Sequence, residues 1–184
     1  EENNLNEIFL LEDSLIGFPE ALKNSELLGV KLRFGLLIKI CEQQHKVAVF
    51  AKNTKGAKHL NMIYSEANNG AGFIDEKKLK SVWRPEDLML CIPFYDSFIF
   101  KNIMHFDSCT PDINSFNPTF FLENCNLPFD SVLREKVEKY AKQYRLSTQE
   151  VKSIYYKNKT DVKKLQTYKC ICNRKFGKKT LSKP

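Results

Sequence analysis

Val30-Lys31-Leu32-Arg33-Phe34-Gly35-Leu36-Leu37-Ile38-Lys39-Ile40-Cys41-Glu42-Gln43-Gln44-His45-Lys46-Val47-Ala48-Val49-Phe50-Ala51 is the stretch on which the fold turns. Val30 to Phe34 alternates strictly between apolar and charged residues, the pattern of a half-buried strand. Leu36 to Cys41 and Lys46 to Ala51 are two further strand candidates. The polar Glu42-Gln43-Gln44-His45 between them reads as a hairpin loop. Strands this close together predict a β-rich body.

Upstream, Asn6 to Leu15 is acidic and apolar and suits either a strand or a short helix. Pro19 to Leu28 predicts a short helix, with Pro19 near its first turn and Gly29 closing it. Downstream, Asn53 to Lys58 reads as a basic turn and Leu60 to Tyr64 as a short strand. Asn68-Asn69-Gly70-Ala71-Gly72 is the strongest loop signal in the chain. Phe73 to Trp83 is expected to pair after it. Leu88 to Phe94 and Ser97 to Ile103 are apolar, with Pro93 demoting the first to an edge or a break. Asp107 to Pro118 reads as a loop, and Thr119 to Leu122 as a last strand.

After Pro128 the period changes from two to 3.6. Asp130 or Ser131 caps a helix running to Tyr144, with Val132, Leu133, Val137, Tyr140, Ala141 and Tyr144 on one side. Ser147-Thr148-Gln149-Glu150 has capping-box spacing and predicts a second helix to about Leu165, with Val151, Ile154, Tyr155, Val162 and Leu165 inward. The charge changes at the same place. Residues 131–184 hold 16 basic and 4 acidic residues, whereas residues 1–130 hold 13 and 18. A basic surface concentrates polyanions such as nucleic acid.

The expected fold class is therefore α+β: a β-rich body, as a partly open barrel or a twisted antiparallel sheet, followed by a basic two-helix extension. The expected divisions are 1–127, 128–166 and a basic tail at 167–184. A chain of 184 residues with 42% hydrophobic content and 14 Phe can bury a real core. Only 7 Gly argue against a large all-β barrel built on tight glycine turns. No apolar run approaches the ~18–20 residues that span a bilayer, so no membrane partner is expected. The acidic Glu1-Glu2-Asn3-Asn4 does not read as a secretory signal. With that, the scattered Cys41, Cys91, Cys109, Cys125, Cys170 and Cys172 read as reduced thiols of an intracellular protein.

Trp83-Arg84-Pro85-Glu86 contains the single Trp. An aromatic directly before Arg-Pro-Glu resembles the signature of BAH domains, β-rich modules of chromatin proteins. Asp96-Ser97-Phe98-Ile99-Phe100 and His105-Phe106-Asp107 are similar in character to the acidic-aromatic stretch that follows in that family. The resemblance covers roughly Asn6 to Leu127 and implies a nuclear, chromatin-associated module. Some BAH domains hold methyl-lysine of a histone tail in an aromatic cage by cation–π attraction. Trp83 matches the nearer cage position, whereas Ser81 stands where the second aromatic would be. Phe94, Tyr95 and Phe98 are the further candidates for ring faces; the other reading of these aromatics and of Trp83 is core.

Tyr168-Lys169-Cys170-Ile171-Cys172 resembles the opening of a PHD finger, whose first zinc-ligand pair is Cys-x-Cys. The resemblance implies zinc at Cys170 and Cys172. Two thiolates are half of a tetrahedral site, and no Cys or His follows. Upstream ligands or a pair of free thiols complete the alternatives.

Lys152, Lys157, Lys159, Lys163 and Lys164 lie on the expected second helix and are the candidate phosphate-binding residues. Leu146 to Lys157 resembles the last helix of Myb/SANT or homeodomain-like folds, without the Trp that family expects. A solvated helix face is the other reading of these lysines. For catalysis the sequence offers little. His105, Asp107 and Cys109 form the one set that can be drawn, and there is no Gly-rich phosphate loop, paired-carboxylate motif or HExxH. The expectation is a non-enzymatic module that binds a histone tail or chromatin-complex partner through its body. Its basic helical segment is expected to contact nucleic acid. The alternatives are a direct DNA- or RNA-binding protein and a structural assembly subunit.

Overall fold

Six strands lie side by side in the order in which the chain makes them, in a computed structural model that describes residues 6–40, 45–69, 72–105 and 110–172. They are β1 (Glu7–Glu12), β2 (Lys31–Ile40), β3 (His45–Ala51), β4 (Leu88–Ile92), β5 (Thr119–Leu122) and β6 (Ser147–Glu150). The helices are α1 (Phe18–Leu27), α2 (Thr54–Asn68), α3 (Glu76–Val82), α4 (Phe98–Met104), α5 (Asp130–Tyr144) and α6 (Val162–Cys172). The sheet curls into a half-barrel. The chain divides into two compact units, Glu1–Val151 and Lys152–Pro184.

The sheet is mixed. β2, β3 and β4 pair antiparallel, as the hairpin reading expects, with Gly35 opposite Phe50 and Ile40 opposite His45. β1 pairs parallel to β2, and β4, β5 and β6 pair parallel in succession. Parallel neighbours need a crossover, which α1, α4 and α5 supply. Of the two expected forms, the twisted antiparallel sheet is thus corrected to a mixed one, while the curl is consistent with the partly open barrel. β2 is one strand rather than two. Gly35 continues it because a Cβ there would enter the van der Waals envelope of the Phe50 ring.

Several segments expected as turns or strands are helices, each announced by a short polar cap. The Asn53 side chain accepts a hydrogen bond from Gly56 N at 2.9 Å and starts α2. α2 thereby replaces both the basic turn at 53–58 and the strand at 60–64. Gly56, Leu60, Ile63 and Ala67 recur at helical spacing and are its buried stripe. Asp75 accepts from Lys77 N at 2.8 Å and starts α3, where Phe73 to Trp83 was expected to pair. Ser97 accepts from Phe100 N at 3.1 Å and starts α4 in the apolar stretch that follows Pro93. β4 is interior, between β3 and β5, because it ends at Ile92 and Pro93 falls outside the ladder.

α5 runs over the expected residues, and its Leu133, Val137 and Ala141 are buried in the body's core with Tyr140 packed against it, whereas Val132 at 49% and Tyr144 at 44% exposure are corrected to outward positions. The boundary expected at 127/128 is accordingly corrected: α5 is part of the body. The second helix of the expected pair is corrected too. Arg145 takes a left-handed φ of 56°, Leu146 N returns to the Ala141 carbonyl at 2.8 Å, and the chain re-enters the sheet as β6. Glu150, which fits a capping box in sequence, instead accepts a hydrogen bond from Arg134 of α5 at 2.9 Å. Residues 173–184 of the expected basic tail lie outside the described residues.

Candidate functional site

Trp83, Tyr95 and Phe98 do not form one cluster of open ring faces. Trp83 ends α3 with 9% exposure, and its ring stands edge-on to Phe116 at 5.1 Å. Phe98 is 3% exposed in the first turn of α4, among His45, Phe120 and Tyr140. Both rings serve the body's core, where an aromatic side chain contributes mostly buried area. The following Arg84 donates to the Ser81 and Trp83 carbonyls, and Asp87 N returns to the Arg84 carbonyl at 3.1 Å. Trp83-Arg84-Pro85-Glu86 is therefore a turn between α3 and β4.

Tyr95 is half-buried and sits where β4 has just ended. Its ring meets Phe94, Phe100 and Phe129, and its hydroxyl donates to Asp130 at 2.8 Å. Asp130 also accepts from Cys125 N at 2.9 Å and Leu127 N at 3.0 Å. One buried carboxylate at the start of α5 thus fixes the loop after β5 and orients Tyr95. Burial, with the Cys125 thiol and Asp130 beside it, pushes the Tyr95 hydroxyl pKa up. A phenol held protonated by its surroundings is a hydrogen-bond donor, not a nucleophile.

The other titratable groups are also tied into structure. Asp87 accepts from the Asn53 side chain at 2.8 Å and lies 3.5 Å from His59 Nε2, which joins the start of α2 to the residue that leads into β4. Asp96, with φ of 71°, pairs with Lys46 at 2.7 Å and Lys101 at 3.8 Å. Of the set drawn from sequence, His105 closes α4, while Asp107 and Cys109 lie outside the described residues.

The lysines expected on one helix are spread over a short unit that the structure folds differently. Lys152 and Lys157 lie in an irregular segment, Lys159 starts a 3₁₀ turn, and Lys163 and Lys164 are in the first turn of α6. Lys152, Lys157, Lys163 and Lys164 are exposed; the side chain of Lys159 lies outside the described residues. Lys164 pairs with Asp161 at 2.7 Å, which holds the Asp161 pKa below the usual carboxylate range. Between Lys152 and Cys172 there are six Lys and one Asp, and no other Asp, Glu or Arg.

The residues missed in sequence are the tyrosines. Tyr155, Tyr156, Lys157, Asp161, Lys164, Leu165 and Tyr168 surround a shallow depression of about 300 Å³. Of its lining, Tyr156, Asp161 and Leu165 are half-buried, whereas Tyr155 is 57% and Tyr168 64% exposed. Ile154 and Tyr155, expected inward on a helix, are corrected to exposed positions: residues 151–156 form neither helix nor strand, so no helical stripe exists there. The interleaving of aromatic and basic residues at 155–168 was the signal that could have found this surface.

Cys170 and Cys172 fall in the last turn of α6, and their side chains lie outside the described residues. Among the described residues no group of three His, Cys, Asp or Glu side chains converges as a metal site. The zinc reading rests on the Cys-x-Cys pair alone. No helix among the described residues is long and apolar enough to cross a membrane. No family model matches this chain, and no curated protein matches it.

Proposed function

We propose that this chain is a non-enzymatic nucleic-acid-binding module. Its mixed α/β body serves as a scaffold, and Lys152–Cys172 contacts the polyanion. The observation that carries this reading is the exposure of Lys152, Lys157, Lys163 and Lys164 in the unit that holds the tyrosine-lined depression, within a stretch whose sequence has six Lys against one Asp. Acidic neighbours that would neutralise these lysines are scarce, so their field acts outward and attracts phosphates.

The chromatin setting and nuclear location come from the resemblance at 83–86 and remain part of the proposal as its context. A histone tail held by Trp83 and Phe98 gains no support, because both rings are buried in the core. Partner binding by the body would have to use other surfaces.

Fluorescence anisotropy with labelled oligonucleotides over a range of salt tests the reading. Neutralising Lys157, Lys163 and Lys164 together to Gln should lower affinity. It should also flatten the log–log salt dependence by about 0.7–0.9 for each phosphate that is no longer neutralised. Binding that is absent at low salt, or a slope unchanged in the triple variant, would overturn it.

A further inference from the structure

Resting on the nucleic-acid reading, we infer that the ligand of Lys152–Cys172 is single-stranded, with bases stacked on Tyr155 and Tyr168. In a duplex the faces of the bases are covered by their neighbours, and only their edges and the phosphates are accessible. A tyrosine ring engages a base face only when the base is unstacked, as in a single strand. Lysines serve either ligand; exposed rings among them serve the single strand.

The geometry has the two parts such a site needs. Tyr155, 57% exposed, comes from the irregular segment, and Tyr168, 64% exposed, from α6. Both border the same depression, whose half-buried lining is Tyr156, Leu165 and Asp161, the last paired with Lys164. Lys164 and Tyr168 are four residues apart on α6 and so are neighbours on one face, placing an ammonium one turn from a ring. Lys157 borders the depression from the segment that carries Tyr155. Rings for bases thus alternate with cations for the phosphates between them. A surface evolved only for duplex phosphates gains nothing from leaving two rings more than half exposed to water.

Stacking and phosphate contact separate experimentally, because only the second releases counterions. The test uses the full chain, a labelled oligothymidylate and a labelled duplex of equal length, titrated at several salt concentrations. The single strand should bind more tightly than the duplex. Tyr155→Ala and Tyr168→Ala should each weaken single-strand binding roughly five-fold or more, without changing the salt slope. Tyr155→Phe and Tyr168→Phe should bind like the parent, since the ring face is kept; that rescue separates stacking from misfolding of the unit. Equal or tighter duplex binding overturns this inference, as does wild-type affinity in both Ala variants, and in either case the polyanion reading stands. No binding of either oligonucleotide sinks both.

Discussion

The two faces of the sheet are buried by different means. On one face Leu36, Ile38, Val47, Val49, Leu90, Ile92 and Phe120 pack beneath helices, meeting Leu60 and Ile63 of α2 and Leu133 and Val137 of α5. On the other, Ala48, Phe50 and Cys91 are at most 5% exposed, and among the described residues the partly buried hydrophobics packed against them, Leu11, Leu37, Met89 and Phe121, come from strands. Three phenylalanines contribute. The Phe50 ring on β3 meets Phe9 of β1 at 5.7 Å and Phe121 of β5 at 6.4 Å. Gly35 on β2 leaves room for the Phe50 ring to lie across it, so side chains of the strands themselves cover part of this face. Strands that are apolar on both faces, such as Leu88-Met89-Leu90-Cys91-Ile92, are usually covered on both faces. Here helices supply one cover and, among the described residues, the strands' own side chains the other.

The comparison breaks most visibly at Leu90, which is 1% exposed on the helix-covered face. Leu90→Ala removes atoms from a space that two layers enclose and neither can refill. Denaturant melts should show a loss of about 2–5 kcal/mol. A loss under about 1 kcal/mol would mean that the helical layer is loosely packed and that the two faces do not differ as described.

Cys91, next to Leu90 but on the opposite face, gives the second test. Burial pushes its thiol from the ordinary 9.0 up to about 12. The folded state therefore holds the proton to higher pH than the unfolded chain does. The associated stability is complete below pH 9 and is lost as pH rises from there towards 12. Between those limits stability should fall by about 1.4 kcal/mol per pH unit through this group. Thermal melts across this range should show a steeper decline for the wild type than for Cys91→Ala. Parallel declines would show that the thiol reaches water and that the strands' side chains do not seal this face.

What could be read in the sequence followed the same division of labour. The hairpin of β2 and β3 was legible because Lys31 to Phe34 alternates, and α5 because Leu133, Val137 and Ala141 keep one helical stripe. α2 was not, because Leu60-Asn61-Met62-Ile63-Tyr64 is dense enough in apolar residues to resemble a strand. Its caps and crossovers also depend on neighbours: Asn53 caps α2 while its amide holds Asp87, 34 residues away. Ser147 to Glu150 shows the reverse error. Their spacing suits a capping box, but pairing with β5 and the Arg134 hydrogen bond outweigh that local preference. At the candidate site, composition disclosed the lysines. The tyrosines stayed hidden because the capping-box spacing puts Tyr155 on the inner side of a helix that the chain does not make.

Met89 sharpens the comparison at a smaller scale. It lies opposite Phe50 in the β3–β4 register and is half-buried at the margin of the Ala48, Phe50 and Cys91 cluster. Met89→Ala should cost about 1–2 kcal/mol in a denaturant melt, less than Leu90→Ala, because solvent already reaches part of the side chain and can fill the space left. Equal costs at positions 89 and 90 would place both faces in equally closed surroundings.

Phe9 is the smallest expected effect and the most diagnostic of the face around Phe50. It is 60% exposed on β1, the strand at one end of the sheet, and its described ring partner is Phe50. If the strands' own side chains cover this face, Phe9→Ser forfeits one edge-to-face pair and a minor share of buried area. The cost should then be about 1 kcal/mol or less. The same change should make the Cys91-dependent alkaline decline shallower, because removing the ring opens the route by which water reaches the layer beneath Phe50. A cost above about 2 kcal/mol would require more apolar surface around Phe9 than the strands provide. This face would then have a second cover, and the contrast with the helix-covered face would become one of degree.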